Sequence, residues 1–168
     1  MIAGPTFDLN FIMSMITESY IVVVPLVGLY MLFRKKKEVY PFIVAIILAL
    51  VIVTAIKIVT AEPRPCAALG PQLCEDPYES FPSRHAAAIG AGLIFVLFEL
   101  ALLIPYLAYF LLVCFSRIYL GAHYPHDVVA GALIGLGIGF ICWKAKNWII
   151  KIAVACVKML RLQKVFPV

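Results

Sequence analysis

Charge is what this chain has least of. Asp, Glu, Lys and Arg make up 14% of its 168 residues against 64% hydrophobic ones, too little polar surface to solvate an ordinary globular domain. Mean hydropathy is +1.04. Long polar stretches are missing too: the longest polar connection, 62–82, holds Pro63, Pro65, Pro71, Pro77 and Pro82, which excludes an inserted soluble domain. The sequence has no HExxH element, internal repeat or low-complexity segment beyond its apolar bias, and the broken, repeated helices of a typical transporter are not apparent. Residues 1–10 contain Asp8 but no Lys or Arg. The basic start of a cleavable leader is therefore absent, and the first apolar run is expected to be retained.

What is present in quantity is apolar sequence of membrane-spanning length. Runs at roughly 11–33, 41–61, 86–104, 101–120 and 127–143 are each near the ~20 residues a spanning helix needs. The third and fourth run together, and Glu99 and Pro105 place the turn between them near 99–105. The expected fold is all-α, a polytopic membrane helix bundle of about five transmembrane helices in one domain, 1–168. In the tail after Trp148, Lys151, Lys158 and Arg161 recur among apolar residues, which predicts an interfacial C-terminal helix, with a sixth span as the alternative.

Charge asymmetry orients the bundle. Arg34 to Lys37 follow the first span, and Lys144, Lys146, Lys151, Lys158, Arg161 and Lys164 follow the fifth, so both regions belong in the cytoplasm by the positive-inside rule. The N-terminus then lies outside the plasma (inner) membrane and the C-terminus inside. The net charge of +5 is accounted for by cytoplasmic loops facing anionic lipid. Nucleic acid is not implied. The remaining cations, Lys57, Arg64, Arg84 and Arg117, all fall on the outer face, where the rule would leave few. Retained there, they point to an anion site.

Three clusters carry chemistry. In the first, Lys57 and Arg64-Pro65 combine a compact charge with a planar fork, a pair suited to phosphate. Phe81-Pro82-Ser83-Arg84-His85 precedes an Ala run, where Ser83 suits a helix N-cap whose unpaired N–H groups attract anions. His85 would project from the first turn. In the third cluster, Ser116-Arg117 is followed by His123 and by Pro125-His126-Asp127. Pro125 suits the first turn of a helix, Asp127 is favoured by its dipole, and Asp127 can accept from one nitrogen of His123, leaving the other to attack. Arg117 can clamp the oxygens of a phosphoryl group.

Lys57 with six residues before Arg64-Pro65, then Pro82-Ser83-Arg84-His85, then Ser116-Arg117 with five residues before His123 and three before Asp127, resemble the type 2 phosphatidic acid phosphatase superfamily. The likeness covers 57–127. It implies a membrane lipid phosphatase in which His123 is the nucleophile forming a phosphohistidine, Asp127 its orienting partner and His85 the general acid. Lys57, Arg64, Ser83 and Arg117 resemble the phosphate-binding set, joined here by Arg84, which stands where the family pattern has Gly and puts the substrate class in question. The implied scheme requires no metal and no cofactor. Its partners are the bilayer and a lipid phosphate: undecaprenyl diphosphate, phosphatidylglycerol phosphate, phosphatidate or the lipid A 1-phosphate group.

Rival readings are a lipid phosphotransferase using the same site, a transporter, and a metal site among His85, His123, His126 and Asp127, the last disfavoured by four nearby cations. Glu18, within the first span, faces the site or pairs inside the bundle. Cys66 and Cys74 share the outer loop and can form a disulfide in an oxidising compartment, whereas Cys114, Cys142 and Cys156 sit in apolar sequence. Glu62, Glu75, Asp76 and Glu79 in that loop are expected to be solvated rather than paired.

Overall fold

The computed structural model describes residues 8–69, 77–97, 99–160 and 162. Within them the chain is an all-α membrane bundle of α1 (Leu9–Glu18), α2 (Tyr20–Phe33), α3 (Val39–Thr60), α4 (Arg84–Val96), α5 (Leu100–Tyr119), α6 (Pro125–Lys144) and α7 (Lys146–Met159), with a short 3-10 turn at Pro65–Leu69. Four stretches have the length and apolar character of a membrane crossing: Leu9–Phe33, Val39–Ala68, Ala101–Tyr119 and Pro125–Lys144. Their outward faces carry large apolar side chains such as Phe11, Leu26, Val51 and Leu133, as lipid contact requires.

The first span is two helices. Ser19 interrupts it, its hydroxyl donating to the Ile16 carbonyl at 2.6 Å and sharing a hydrogen bond with the Tyr109 hydroxyl at 2.8 Å. A side chain that satisfies the backbone locally competes with the helix ladder in this way.

The expected third span is corrected. Instead of running from 86 to 104, α4 ends at Val96, α5 begins at Leu100, and Pro105 lies inside α5. The physical reason is at the start of α4. Ser80 and Ser83 are fully buried, so the chain has already entered the bundle before the helix begins. The 13 residues of α4 cover about 20 Å at 1.5 Å per residue, and they still join the two ends of the molecule. At the far end the Lys36 ammonium pairs with the Glu99 carboxylate, tying the α2–α3 turn to the α4–α5 turn.

Close helix packing sets the position of α4. Gly131, Gly135 and Gly139 of α6 face Ser83, Ala87 and Ala91, and a Cβ at these glycines would lie 2.4, 2.1 and 2.4 Å from the respective carbonyl oxygens. Backbone therefore meets backbone along the whole contact, the arrangement that small residues at four-residue spacing permit in membranes. The C-terminal helix α7 packs on the same core through Val157, with Ile149, Ile150 and Ala153 beside it. At 14 residues it falls short of a span.

Candidate active site

Four helix ends converge opposite the Lys36–Glu99 pair. The last turn of α3 supplies Lys57, the following segment Arg64, the start of α4 Ser83, Arg84 and His85, the end of α5 Arg117, and the α5–α6 connection with the first turn of α6 His123 and Asp127. Backbone bonds hold this end together. Ser83 N–H donates to the Asp127 carbonyl at 3.0 Å, Arg64 N–H to Pro77 at 2.8 Å, Cys66 N–H to Gly121 at 3.0 Å, and His123 N–H to Arg117 at 3.2 Å. Gly121, at φ +63°, makes the turn that brings the chain back from Arg117 to His123, a conformation glycine adopts without cost.

A cavity of about 700 Å³ opens here, walled by Arg64, Arg84, His85 and Arg117 together with Glu18 and Tyr20. Lys57, Ser83, His123 and Asp127 are buried and do not form its wall among the described residues. Three nitrogen atoms, Arg117 Nε, His85 Nε2 and His123 Nδ1, are buried with no hydrogen-bond partner among the described residues. A buried polar group left unsatisfied costs about 1–3 kcal/mol. An anion with several oxygens would satisfy the Arg117 and His85 atoms, while His123 Nδ1 faces Asp127.

The expected roles fare unequally in geometry. Ser83 is the N-cap of α4, its hydroxyl accepting from Ala86 N–H at 3.5 Å, and Pro125 occupies the first turn of α6. His123 Nδ1 faces Asp127 Oδ2 at 3.6 Å, too far for a formed hydrogen bond. That oxygen is taken by the Ser80 hydroxyl and by Tyr124 N–H, the latter at 2.9 Å. Lys57 donates to the carbonyls of Glu79 and of Ser80, the second at 3.0 Å, so its ammonium secures the loop that leads into α4. Arg84 lies 3.4 Å from the Glu79 carboxylate. Glu62 contacts His126 at 3.2 Å. The acidic loop residues that are described are thus paired while still reaching solvent, whereas the expectation was solvation alone.

Electrostatics favour a neutral His123. Burial pushes its pKa well below the usual imidazole value, and Arg117, Lys57, Arg64 and His85 push in the same direction. A neutral ring keeps the lone pair that nucleophilic attack needs. His85 lies edge-on against Tyr20, ring centroids 4.4 Å apart, which fixes its plane at the cavity wall. Ser116 shares a 2.6 Å hydrogen bond with Thr17 of α1, an inter-helix tie. Glu18 stands on the cavity wall with Arg117.

Ser80, Tyr20 and the glycine stripe were not anticipated from sequence. Only the stripe had a signal, its four-residue spacing. The metal grouping of His85, His123, His126 and Asp127 does not form; the ligand atoms that do come together belong to Glu62, His126 and Asp127. Cys66 is disulfide-bonded, while Cys74, Glu75 and Asp76 lie outside the described residues.

Comparison with known proteins adds three findings. The profile of the PAP2 superfamily matches residues 38–151. Two relatives are similar over most of this chain: an undecaprenyl-diphosphatase of Sulfolobus acidocaldarius, 30% identical over 70% of the chain and 60% of that protein, and undecaprenyl-diphosphatase BcrC of Bacillus subtilis, 33% identical over 81% and 74%. The chain thus spans less than two thirds of the length of the first. The crystal structure of Aquifex aeolicus LpxE is similar with a TM-score of 0.70 and 30% identity, over 84% of this chain and 88% of that one.

Proposed function

We propose, from the premise that this chain belongs to the PAP2 superfamily, that it is an integral-membrane lipid phosphatase acting on a lipid diphosphate through a phosphohistidine. The observation that carries the reading is the cavity walled by Arg64, Arg84, His85 and Arg117, with Arg117 Nε, His85 Nε2 and His123 Nδ1 buried and unsatisfied at the same end. Three guanidinium groups can hold both phosphates of a diphosphate, and undecaprenyl diphosphate is the substrate class that the names of two relatives support.

In the proposed reaction His123 Nε2 attacks the terminal phosphorus while its Nδ1 side turns to Asp127, whose charge stabilises the ring as it becomes positive. The bond to the bridging oxygen breaks and His85 supplies the proton to the departing lipid phosphate. Water then attacks the phosphohistidine, His85 takes a proton back, and inorganic phosphate leaves. The 3.6 Å separation of His123 and Asp127 has to tighten on binding, as catalytic hydrogen bonds often do. Arg64, Arg84 and Arg117 neutralise the phosphoryl oxygens, with Ser83 and the start of α4 completing the anion site. The scheme uses no metal.

The basic α2–α3 turn and the Lys144–Lys146 region share the opposite end of the bundle. On the positive-inside rule that end is cytoplasmic, so the site opens to the periplasm or cell exterior and the lipid enters laterally from the outer leaflet. The test is phosphate release from purified protein in detergent, measured over a panel of lipid phosphates with chelator present. Undecaprenyl diphosphate should be the best substrate, and His123→Ala should lower turnover by at least about a thousandfold and abolish the acid-labile phosphoenzyme. Substantial turnover by the variant would defeat the nucleophile assignment.

A further inference from the structure

At the carboxylate that faces His123 lies a second convergence, whose other two members, Glu62 and His126, phosphoryl transfer does not use. α3 ends at Ala61 in the left-handed region, φ 44°, which turns Glu62 back over the start of α6. There His126 Nε2 stands 3.2 Å from Glu62 Oε1 and 2.9 Å from Asp127 Oδ1, and the three donor atoms all lie within 4.8 Å of one another. With metal–ligand bonds of about 2.0–2.1 Å, the edge of a tetrahedral site is about 3.3 Å. Two of the three edges are already close to that length.

Asp127 gives the independent sign of a ligand. It is 0% exposed, and while Oδ2 is occupied by Ser80 and Tyr124, Oδ1 has no hydrogen-bond partner despite its proximity to His126. A buried carboxylate oxygen without an aligned hydrogen bond is expensive, and this one shares its approach with the imidazole nitrogen 2.9 Å away. The His126 ring is held in position, stacked on Tyr124 at 5.4 Å with 9° between the planes. The His126 side chain is 58% exposed and that of Glu62 35%, so an ion can reach the group from solvent.

We propose that Glu62, His126 and Asp127 bind a divalent cation of zinc type, and that the bound ion inhibits catalysis. One imidazole and two carboxylates suit Zn²⁺, whereas Mg²⁺ demands a near-octahedral oxygen shell and gives up water reluctantly. Inhibition follows from the shared carboxylate: charge drawn to the cation at Oδ1 is no longer available to stabilise a positive His123. That half rests on the role of Asp127 proposed above, while the binding half does not.

The experiment titrates Zn²⁺, and separately Mg²⁺, into the purified full chain by calorimetry, alongside Glu62→Gln and His126→Gln. Both variants change side chains that reach solvent, and their melting curves check that they fold. The wild type should bind one Zn²⁺ and give no Mg²⁺ heat at the same concentration, and each variant should lose at least about tenfold in affinity. Phosphate release by the wild type should be inhibited by Zn²⁺ and restored by chelator, while the variants keep basal turnover and need correspondingly more Zn²⁺. Absence of Zn²⁺ binding, or variants that bind as the wild type does, overturns the site. Binding without inhibition overturns the regulatory half. A protein with no basal phosphatase activity defeats the proposed function instead, and calorimetry still decides the site.

Discussion

At the scale of single residues, two histidines of one type are given different tasks by their surroundings. His123 is buried at the loop between α5 and α6, and its lowered pKa means the ring refuses a proton that an ordinary imidazole would take near pH 6.5. The sign follows directly: as pH falls below that value the unfolded chain binds the proton and the folded one does not, so folding weakens on the acid side. In histidine-labelled protein without substrate, the His123 ring, assigned with His123→Gln, should keep neutral-tautomer shifts down to about pH 5. Titration near 6.5 would contradict the burial argument. His85, at the cavity wall, is the proposed acid. His85→Ala should cost about a hundredfold with a poor alcohol leaving group, within the range typical of general acids, and clearly less with a diphosphate, whose departing phosphate needs little protonation. Equal losses for both substrates would remove that assignment.

At the scale of elements, α4 and α6 form one unit that carries much of the site. The Ser83 N–H bond to the Asp127 carbonyl joins their starts, and the glycine stripe fixes their distance. Gly135→Ala would put a methyl group 2.1 Å from the Ala87 carbonyl oxygen, forcing the helices apart at a cost of about 1–3 kcal/mol with a loss of turnover. Gly137→Ala meets nothing within 4 Å and should stabilise by about 0.5–1 kcal/mol, the usual helix preference for Ala. Thermal unfolding in detergent with parallel assays distinguishes the two. The clusters around Lys57, His85 and His123 were legible in sequence because each combines polar groups with a helix boundary. The ties among them were not. Ser80 lies outside every cluster, and its hydroxyl finds Asp127 across 47 positions of chain; nothing local marks such a partner. The α4–α5 turn was misplaced because Pro105, a helix breaker by propensity, is tolerated inside α5, as the sixth residue of the helix that starts at Leu100.

At the scale of the whole molecule, two ends of opposite character are joined by an apolar middle. One end holds the cavity and the other the Lys36–Glu99 pair. Tyr78→Cys, at an exposed position of the site end, should react with a membrane-impermeant thiol reagent in intact cells, and Lys37→Cys only after permeabilisation. The reverse pattern would invert the proposed topology. The all-α bundle class was readable from composition, since it follows from the bilayer itself, whereas the split of the first span into α1 and α2 was not. Nor was the short α4, because burial within the bundle frees a helix from the length that lipid imposes. That brevity bears on how the protein is made. A helix of 13 residues cannot settle in lipid alone, and the surface it needs belongs to α6, which the ribosome delivers only after α5. α4 must therefore be sheltered until its partner emerges, and the histidines proposed for catalysis, His85 and His123, reach their final packing only once α6 has arrived.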